Sequence, residues 1–258
     1  MAELRRLLVE SQRFDAITAS DHLLSLKQDE VHYLRRVLRL RNGQAVAVVD
    51  GVGHFWEAHL QAGDFLKLDT SPSSPSLQQP RHRQQLGLAV VLPKRGFEEV
   101  LRMSCELGVN LIQPLRSDRC TPQAEERPLR WKVILREAVE QSEQLWQPEL
   151  LPIAEASALW KSPPDHAVFA LATTRRLGLI DLQLLMEGLT PEINQVTVAI
   201  GPEGGWSPLE ECAAEAAGWV PVALGDSILR TCTAAVAAAQ TMVSSRRISL
   251  SRDQSRSD

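Results

Sequence analysis

Downstream of residue 85, short and mostly apolar runs alternate with longer segments in which apolar residues recur every three or four positions. Strand-length runs with few polar positions are typical of strands covered on both faces of a sheet. They lie at Leu86–Leu92, Val109–Leu115, Ala167–Leu171, Val196–Ile200 and Val220–Leu224. The helical spacing occurs at Phe97–Leu107, Leu129–Leu145, Ile180–Glu187, Pro208–Ala217 and Thr233–Val243. Strands that alternate with helices predict an α/β domain with a parallel sheet.

The N-terminal part of the chain follows a different pattern. Apolar residues recur with helical spacing over Asp29–Leu38, which predicts one helix. Two apolar stretches follow, Ala45–Val49 and Phe55–Leu60, and the turn sequence DGVG at positions 50–53 joins them. This order predicts a β-hairpin. We therefore expect a small β-rich module with one helix.

A break in composition separates these two parts. The segment Thr70–Pro80 contains three prolines, four serines and no charged residue, which is typical of a linker. We therefore predict two domains, at residues 1–72 and 80–245. Residues 246–258 are polar and rich in Ser and Arg, and this composition predicts a disordered tail.

The overall composition excludes several classes of protein. Hydrophobic residues make up 44% and charged residues 23%, as in ordinary globular proteins, so the chain is neither disordered nor fibrous. No apolar run approaches the ~20 residues that span a bilayer. The first residues lack the apolar stretch of a secretory signal, so we expect a cytoplasmic protein. The four cysteines form no C-x-x-C pair, which favours free thiols and no metal site.

The formal net charge of −4 argues against a protein that coats nucleic acid non-specifically. A local basic patch is compatible with that value, because binding depends on where the charges lie. Four arginines fall within seven positions: Arg35, Arg36, Arg39 and Arg41. Two interpretations stay open, a solvated helix face and a surface that binds phosphates.

A glycine-rich loop follows the apolar run Val196–Ile200. It occupies Gly201–Gly205, and Ser207, Pro208 and Glu210 then have the pattern of a capping box at a helix start. Loops between a strand end and a helix start bind ligands in open α/β sheets. The loop lacks Gly-Lys-Ser/Thr and G-x-G-x-x-G, which disfavours a nucleotide-phosphate enzyme. The alternative is a tight connection without a ligand.

A second loop of this kind follows Val220–Leu224. Gly225 comes first, and Asp226–Thr231 then leads into an alanine-rich helix. Arg230 lies directly before that helix, and there it is either a solvated charge or a contact for an anion or a polar base. The small alanine side chains permit close packing, either within the chain or at a dimer interface.

Five segments carry a resemblance to a known family. They are IGPEGGWSPLE at 200–210, LGDSILRTCTAA at 224–235, CELGVNLIQPLRSDRC at 105–120, RWKVILREAVEQS at 130–142 and HYLRRVLRLRNGQAVAVVDGVG at 32–53. The segments occur in the family's order, and the resemblance extends over nearly the whole chain, about residues 10 to 243. The chain resembles the bacterial RsmE family of 16S rRNA uridine-N3 methyltransferases, within the SPOUT (trefoil-knot) superfamily.

The resemblance implies a fold and an activity. The C-terminal domain would be a knotted α/β methyltransferase domain that binds S-adenosylmethionine in its knot. The N-terminal module would be a PUA-like barrel that binds RNA. The enzyme would be a homodimer that methylates N3 of a uridine in the decoding region of 16S rRNA, in the small ribosomal subunit.

The expected reaction suggests roles for individual residues, and the resemblance adds the residues that would contact the cofactor. Arg230 would stabilise the charge that develops on the uracil oxygens, and Glu203 or Asp226 would accept the N3 proton. The four clustered arginines would contact RNA phosphates. A metal would not be needed, because the sulfonium of the methyl donor is the electrophile. The cofactor would lie against Leu171, Ala172, Thr173, Gly201, Pro202, Glu203, Gly204, Gly205, Leu224, Gly225, Ile228, Leu229 and Thr231.

Three positions depart from the family pattern. Cys232 stands where a glutamate is frequent, Gln144 where an arginine is frequent, and Met103 where a lysine is frequent. These changes remove charged groups near the expected RNA-facing site. They leave two alternatives open: a methyltransferase of the same superfamily that modifies another position, such as a ribose 2′-OH, and a non-catalytic ribosome-binding protein with a relic knot.

Overall fold

The computed structural model describes residues 4–17, 21–121, 124, 126–174 and 176–257. The chain divides into two compact units. The N-terminal unit comprises Met1–Arg81 together with Arg136–Gln147, and the C-terminal unit comprises His82–Leu135 together with Pro148–Asp258.

The N-terminal unit is built on a sheet that confirms the predicted hairpin. Its central strands pair antiparallel, with Ala45 opposite His59 and Val49 opposite Phe55. The order along the sheet is β1-β3-β4-β5-β2, with β6 paired to β4. The strands are β1 (Arg6–Leu8), β2 (Leu23–Ser25), β3 (Ala45–Val49), β4 (His54–Gln61), β5 (Phe65–Leu68) and β6 (Leu77–Gln78).

The predicted helix of this unit is also present. Helix α1 spans Gln28–His32 and continues as one turn of π-helix over Tyr33–Val37. Leu34 is fully buried in the core of the unit. Phe14 and Trp56 stack in the same core, with ring centroids 4.2 Å apart.

The predicted linker contributes to the sheet of the N-terminal unit. Leu77 and Gln78 pair with β4, and the amide of Gln79 donates to the carbonyl of Gly53 at 2.8 Å. The Pro- and Ser-rich composition therefore marks an irregular segment that ends in a short edge strand.

The segment Arg136–Gln147 belongs with the N-terminal unit, whereas the sequence predicts it in the C-terminal domain. Hydrogen bonds within that unit account for the difference. The amide of Leu8 donates to the Glu140 carboxylate at 2.8 Å, and Arg136 donates to the Leu8 carbonyl at 3.2 Å. The indole of Trp146 donates to the carbonyl of Gln79 at 3.0 Å.

The C-terminal unit is built on a parallel sheet, as the apolar runs predict. All of its described pairings are parallel, and the order is β10-β8-β7-β13-β11-β14-β12, with β9 paired to β8. The strands are β7 (Gln85–Val91), β8 (Leu111–Arg116), β9 (Glu149–Leu150), β10 (Ala154–Glu155), β11 (Ala167–Ala172), β12 (Ile180–Asp181), β13 (Gln195–Ile200) and β14 (Val220–Ala223).

The helices follow the predicted positions closely. They are α2 (Phe97–Leu107), α3 (Pro128–Ser142), α4 (Leu182–Glu187), α5 (Pro208–Ala216) and α6 (Thr231–Ser257). In α6, Ala235, Ala238 and Ala239 are fully buried, so these small side chains pack within the chain. None of the helices in the described ranges combines the length and the apolarity that crossing a bilayer requires.

Helix α6 continues through Ser257, where the sequence predicts a disordered tail at 246–258, and Asp258 itself lies outside the described residues. Arg246 anchors this part of the helix. Its guanidinium donates to the Asn110 side chain at 2.7 Å and to the Gly108 carbonyl at 3.0 Å. The burial of this cation lowers its pKa to about 10.

Candidate functional site

A cavity of about 620 Å³ opens in the C-terminal unit, where β11, β13 and β14 end. Because the three strands are parallel and adjacent, the loops that follow them emerge at the same edge of the sheet. Residues of these loops line the cavity: Ala172, Thr173, Gly201, Pro202, Glu203, Gly204, Gly205, Leu224, Gly225, Asp226, Ile228, Leu229 and Thr231. Leu171 does not line it, because this side chain is fully buried in the core beneath the loop.

The start of α5 fixes the end of the glycine-rich loop. Ser207 and Glu210 form the predicted capping box, in which the Glu210 carboxylate accepts from the Ser207 amide at 2.8 Å. Asp118 supports this cap from another segment. It accepts from the Ser207 hydroxyl at 2.6 Å, and its own amide donates to Glu210 at 3.1 Å.

Arg119 holds the middle of the glycine-rich loop. One nitrogen of its guanidinium, Nη1, donates to the carbonyl of Gly204 at 3.2 Å and to the carbonyl of Trp206 at 3.1 Å. Arg119 is not among the site residues predicted from the sequence, although it lies in the segment CELGVNLIQPLRSDRC. Its partners are backbone oxygens 85 and 87 positions away, which no local pattern indicates.

Trp206 connects two of the loops. Its indole Nε1 donates to the carbonyl of Ala172, at the end of β11, at 3.0 Å. The ring lies so close to Gly201 that a Cβ at that position would be 3.0 Å from indole atoms. Gly201 therefore has no room for a larger residue unless Trp206 moves.

Two threonines complete the connections between the loops. The hydroxyl of Thr231, at the start of α6, donates to the carbonyl of Gly201 at 3.0 Å. The hydroxyl of Thr173 donates to the carboxylate of Glu211. Hydrogen bonds thus connect the segments that follow β11, β13 and β14 to one another.

The chemical character of the cavity is mixed. Apolar side chains contribute one part of the wall, namely Leu177, Leu179, Leu224, Ile228 and Leu229. Backbone groups of the glycine-rich loop and a few charged side chains contribute the rest. An apolar wall with a small number of placed polar groups is typical of sites for small organic ligands. The described residues contain no group of three or more His, Cys, Asp or Glu side chains that could hold a metal.

The candidate catalytic residues lie at the rim of the cavity. Arg230 is exposed and lies between two lining residues, Leu229 and Thr231, but does not itself line the cavity. The structure records no partner for its guanidinium among the described residues. Glu203 lines the cavity, and its Oε1 accepts from the Lys94 amide at 3.3 Å. Asp226 also lines the cavity and is exposed.

The three positions that depart from the family pattern lie in different places. Cys232 is half-buried in the first turn of α6, and its Sγ donates to the carbonyl of Arg95 at 3.5 Å. Burial and the nearby Glu203 raise the pKa of this thiol. Met103 is half-buried in α2, and Gln144 belongs to the N-terminal unit.

The structure divides the arginine cluster of the N-terminal unit. Arg35 contacts the Asp64 carboxylate at 3.2 Å, the Asn42 side chain at 3.0 Å and the Gln61 carbonyl at 2.7 Å. Its fork is therefore occupied within the unit, which makes it a structural residue. The other three arginines are exposed, and no side-chain partner is recorded for them among the described residues: Arg36, Arg39 and Arg41.

Comparisons with known proteins agree with this geometry. Residues 80–243 match the model of an RNA methyltransferase domain, and residues 26–70 match that of an RNA methyltransferase PUA domain. The ribosomal RNA small subunit methyltransferase E of Synechocystis sp. is 37% identical over 217 residues, covering 82% of this chain and 69% of that protein. The protein of the same name from Buchnera aphidicola is 25% identical, and the matched region covers 84% of this chain and 89% of that protein.

Solved structures resemble the whole chain. The ribosomal RNA small subunit methyltransferase E from Neisseria gonorrhoeae, bound to S-adenosyl methionine, is 26% identical with a TM-score of 0.76, covering 94% of this chain and 98% of its own. A probable rRNA-methyltransferase from Porphyromonas gingivalis has a TM-score of 0.78 at 24% identity, covering 95% of this chain and 99% of its own. At 24% identity, the similarity to the Porphyromonas gingivalis structure shows that the two proteins share a fold.

Proposed function

The chain belongs to the ribosomal RNA small subunit methyltransferase E family, and we propose that it methylates N3 of one uridine in the decoding region of 16S rRNA, with S-adenosylmethionine as methyl donor. The observation that carries the proposal is the cavity formed by three connected loops at the carboxyl ends of β11, β13 and β14. The partner would be the small ribosomal subunit, and the enzyme would act in the cytoplasm.

The residues of the cavity fit this cofactor. The volume of about 620 Å³ lies within the range of about 300 to 1,000 Å³ that small-molecule sites occupy. The leucines of the wall would lie against the adenine and the methionine chain, and backbone groups of Gly201–Gly205 would meet the polar edges. When bound, S-adenosylmethionine supplies an electrophilic methyl group.

The chain's own residues would then act on the uracil ring. The imide proton must leave N3 before this nitrogen becomes a nucleophile. Glu203 or Asp226, which both line the cavity, would accept it. Arg230 cannot act as the base, because its guanidinium stays charged. It would instead donate to the uracil oxygen on which negative charge develops. Cys232 is a poor base for this step, since burial raises the pKa of its thiol.

Methylation of small ribosomal subunits that lack the modification tests the proposal. Nucleoside analysis of the product should give 3-methyluridine. A 2′-O-methylated nucleoside would favour the alternative target, and cofactor binding without turnover would favour a non-catalytic ribosome-binding protein.

We also propose that the enzyme is a homodimer. The exposed apolar side chains of Ile248 and Leu250, near the end of α6, are compatible with a covered surface in an assembly. Light scattering of the full chain tests this proposal, and a monomer mass would contradict it.

Gly204→Val should weaken the binding of S-adenosylmethionine roughly tenfold or more, which is about 1.4 kcal/mol. A Cβ at Gly204 would meet only Arg119, at 3.5 Å, so the protein itself accommodates it and the added methyl groups would occupy ligand space. Calorimetry and the melting temperature measure the two effects. Gly188→Val, at the end of α4 and outside the cavity, is the control. An unchanged affinity in a folded Gly204→Val protein would contradict the assignment.

The double variant Arg36→Gln with Arg39→Asn should reduce the salt dependence of RNA binding. Each lost phosphate contact lowers the slope of log affinity against log salt by about 0.7 to 0.9. Asparagine suits position 39, where φ is +56°. Arg102→Gln is the control, since Arg102 is paired with Glu99 and Glu106. A slope equal to that of the wild type would show that these arginines lie on a solvated face and do not contact phosphates.

A further inference from the structure

The loop between β7 and α2 carries two adjacent cations, Lys94 and Arg95, at the edge of the sheet where the cavity opens. Backbone contacts fix this loop against the other loops of the site. The Lys94 amide donates to Glu203 at 3.3 Å, and the Arg95 carbonyl accepts from the Cys232 thiol at 3.5 Å. The loop therefore lies beside the glycine-rich loop and the start of α6.

The turn that ends this loop leaves little freedom to its backbone. Gly96 has a φ of +91°, in the left-handed region that favours glycine. A Cβ at Gly96 would lie 2.9 Å from the sulfur of Cys232. The backbone is thus held close to α6, while the side chains of Lys94 and Arg95 are exposed.

Both cations are available for a partner. No ion pair or hydrogen bond of either side chain is recorded among the described residues. The acidic residues that follow in α2 are engaged elsewhere: Glu98 lies 3.9 Å from Arg127, and Glu99 lies 2.8 Å from Arg102. Arg230, also exposed, adds a third positive charge two positions before Cys232, the residue of α6 that contacts this loop. Glu203 and Asp226 are the carboxylates of the adjoining loops.

The position of the two side chains indicates which ligand they serve. Neither lines the cavity, so they are not placed to contact a small molecule bound within it. Their loop is hydrogen-bonded to Glu203, which does line the cavity, so a polymer whose base entered the site would pass close to this loop. Lysine and arginine side chains on such a surface bind the phosphates of a nucleic acid backbone.

We infer that Lys94 and Arg95 form a phosphate-binding subsite that holds the RNA backbone beside the nucleotide in the cavity. The inference rests on the proposed function, because it assumes that the substrate is RNA. The loop would contribute affinity that does not depend on the RNA sequence, and the cavity would recognise the base.

The salt dependence of RNA binding tests the subsite in the full chain. The probe is a single-stranded RNA oligonucleotide that contains uridine. For single strands each phosphate contact contributes about 0.7 to the slope of log affinity against log salt. The K94Q/R95Q variant should therefore lower the slope by about 1.4. The affinity for S-adenosylmethionine should not change.

Two matched variants accompany this measurement. R83Q/K161Q removes the same two charges from exposed residues that precede β7 and β11, at the amino-terminal side of the strands, and should keep the wild-type slope. K94R/R95K preserves both charges and should also keep it. The inference is overturned if K94Q/R95Q keeps the wild-type slope, if R83Q/K161Q loses as much, or if K94Q/R95Q loses cofactor affinity.

The methylation assay of the unaltered chain separates this inference from the proposed function. If the chain methylates small subunits and the slope of K94Q/R95Q is unchanged, only the subsite is wrong. If the chain shows no methylation on any rRNA and the slope of K94Q/R95Q still falls, the subsite is supported and the proposed activity is wrong.

Discussion

Replacing Arg230 with alanine should lower the turnover of RNA methylation about 100- to 1000-fold, the loss typical of removing one donor to a developing oxyanion. The expectation follows from the position of the guanidinium, which is exposed and unpaired among the described residues and lies beside the lining residues Leu229 and Thr231. The melting temperature should stay close to that of the wild type, because no ion pair is lost. Single-turnover kinetics on small subunits measure the effect.

Two variants make the Arg230 experiment decisive. Arg230→Lys should restore activity only in part, since an ammonium lacks the planar fork of the guanidinium. Arg247→Ala removes another exposed arginine, from α6 itself, and should leave turnover unchanged. Near-normal turnover of Arg230→Ala would show that Arg230 is a solvated charge without a catalytic role. Removing such a charge costs less than about 1 kcal/mol of stability.

Glu140 should make the free energy of unfolding fall as the pH rises from 5 to 8. Its side chain is only 7% exposed, and burial raises its pKa from 4.5 to about 7, against the opposing effects of the Leu8 amide and Arg136. Glu137 and Glu30 raise it further. Between pH 5 and about pH 7, Glu140 holds more protons in the folded chain than in the unfolded chain. The free energy of unfolding therefore decreases over this range and is level above it.

The Glu140→Gln variant isolates this contribution. Glutamine keeps an oxygen that can accept from the Leu8 amide but has no charge to bury. At about 1.4 kcal/mol for each pH unit, the variant should gain about 3 kcal/mol over the wild type at pH 8 relative to pH 5. Denaturant unfolding at the two pH values measures the difference. Glu143→Gln, a half-exposed residue one turn away, is the control, and equal profiles for all three proteins would refute the prediction.

The sequence contains most of the information about the C-terminal sheet and its cavity. Strands such as Gln195–Ile200 are mostly apolar and buried, as expected where both faces of a sheet are covered, and this pattern is local. The capping box of Ser207 and Glu210 is equally local, since its members lie three positions apart. The loops that line the cavity follow directly from the ends of these strands.

Long-range hydrogen bonds determine what the sequence does not reveal. Arg119 and Arg246 look like surface arginines in the sequence, yet each donates to backbone oxygens far away in the chain. Arg35 and Arg36 are adjacent residues of the same type, and only the structure distinguishes the paired one from the free one. Two-residue strands such as β10 and β12 are too short to show a period.

The discontinuous N-terminal unit also constrains how the protein is made. During synthesis, domains fold generally from the N-terminus as their residues emerge. Here the amide and the carbonyl of Leu8 form hydrogen bonds with Glu140 and Arg136, and the carbonyl of Gln79 accepts one from Trp146. These bonds cannot form until the later residues have been synthesised. The first 81 residues therefore cannot reach their final state until Gln147 has emerged from the ribosome, by which time the strands β7 and β8 of the second unit have emerged as well.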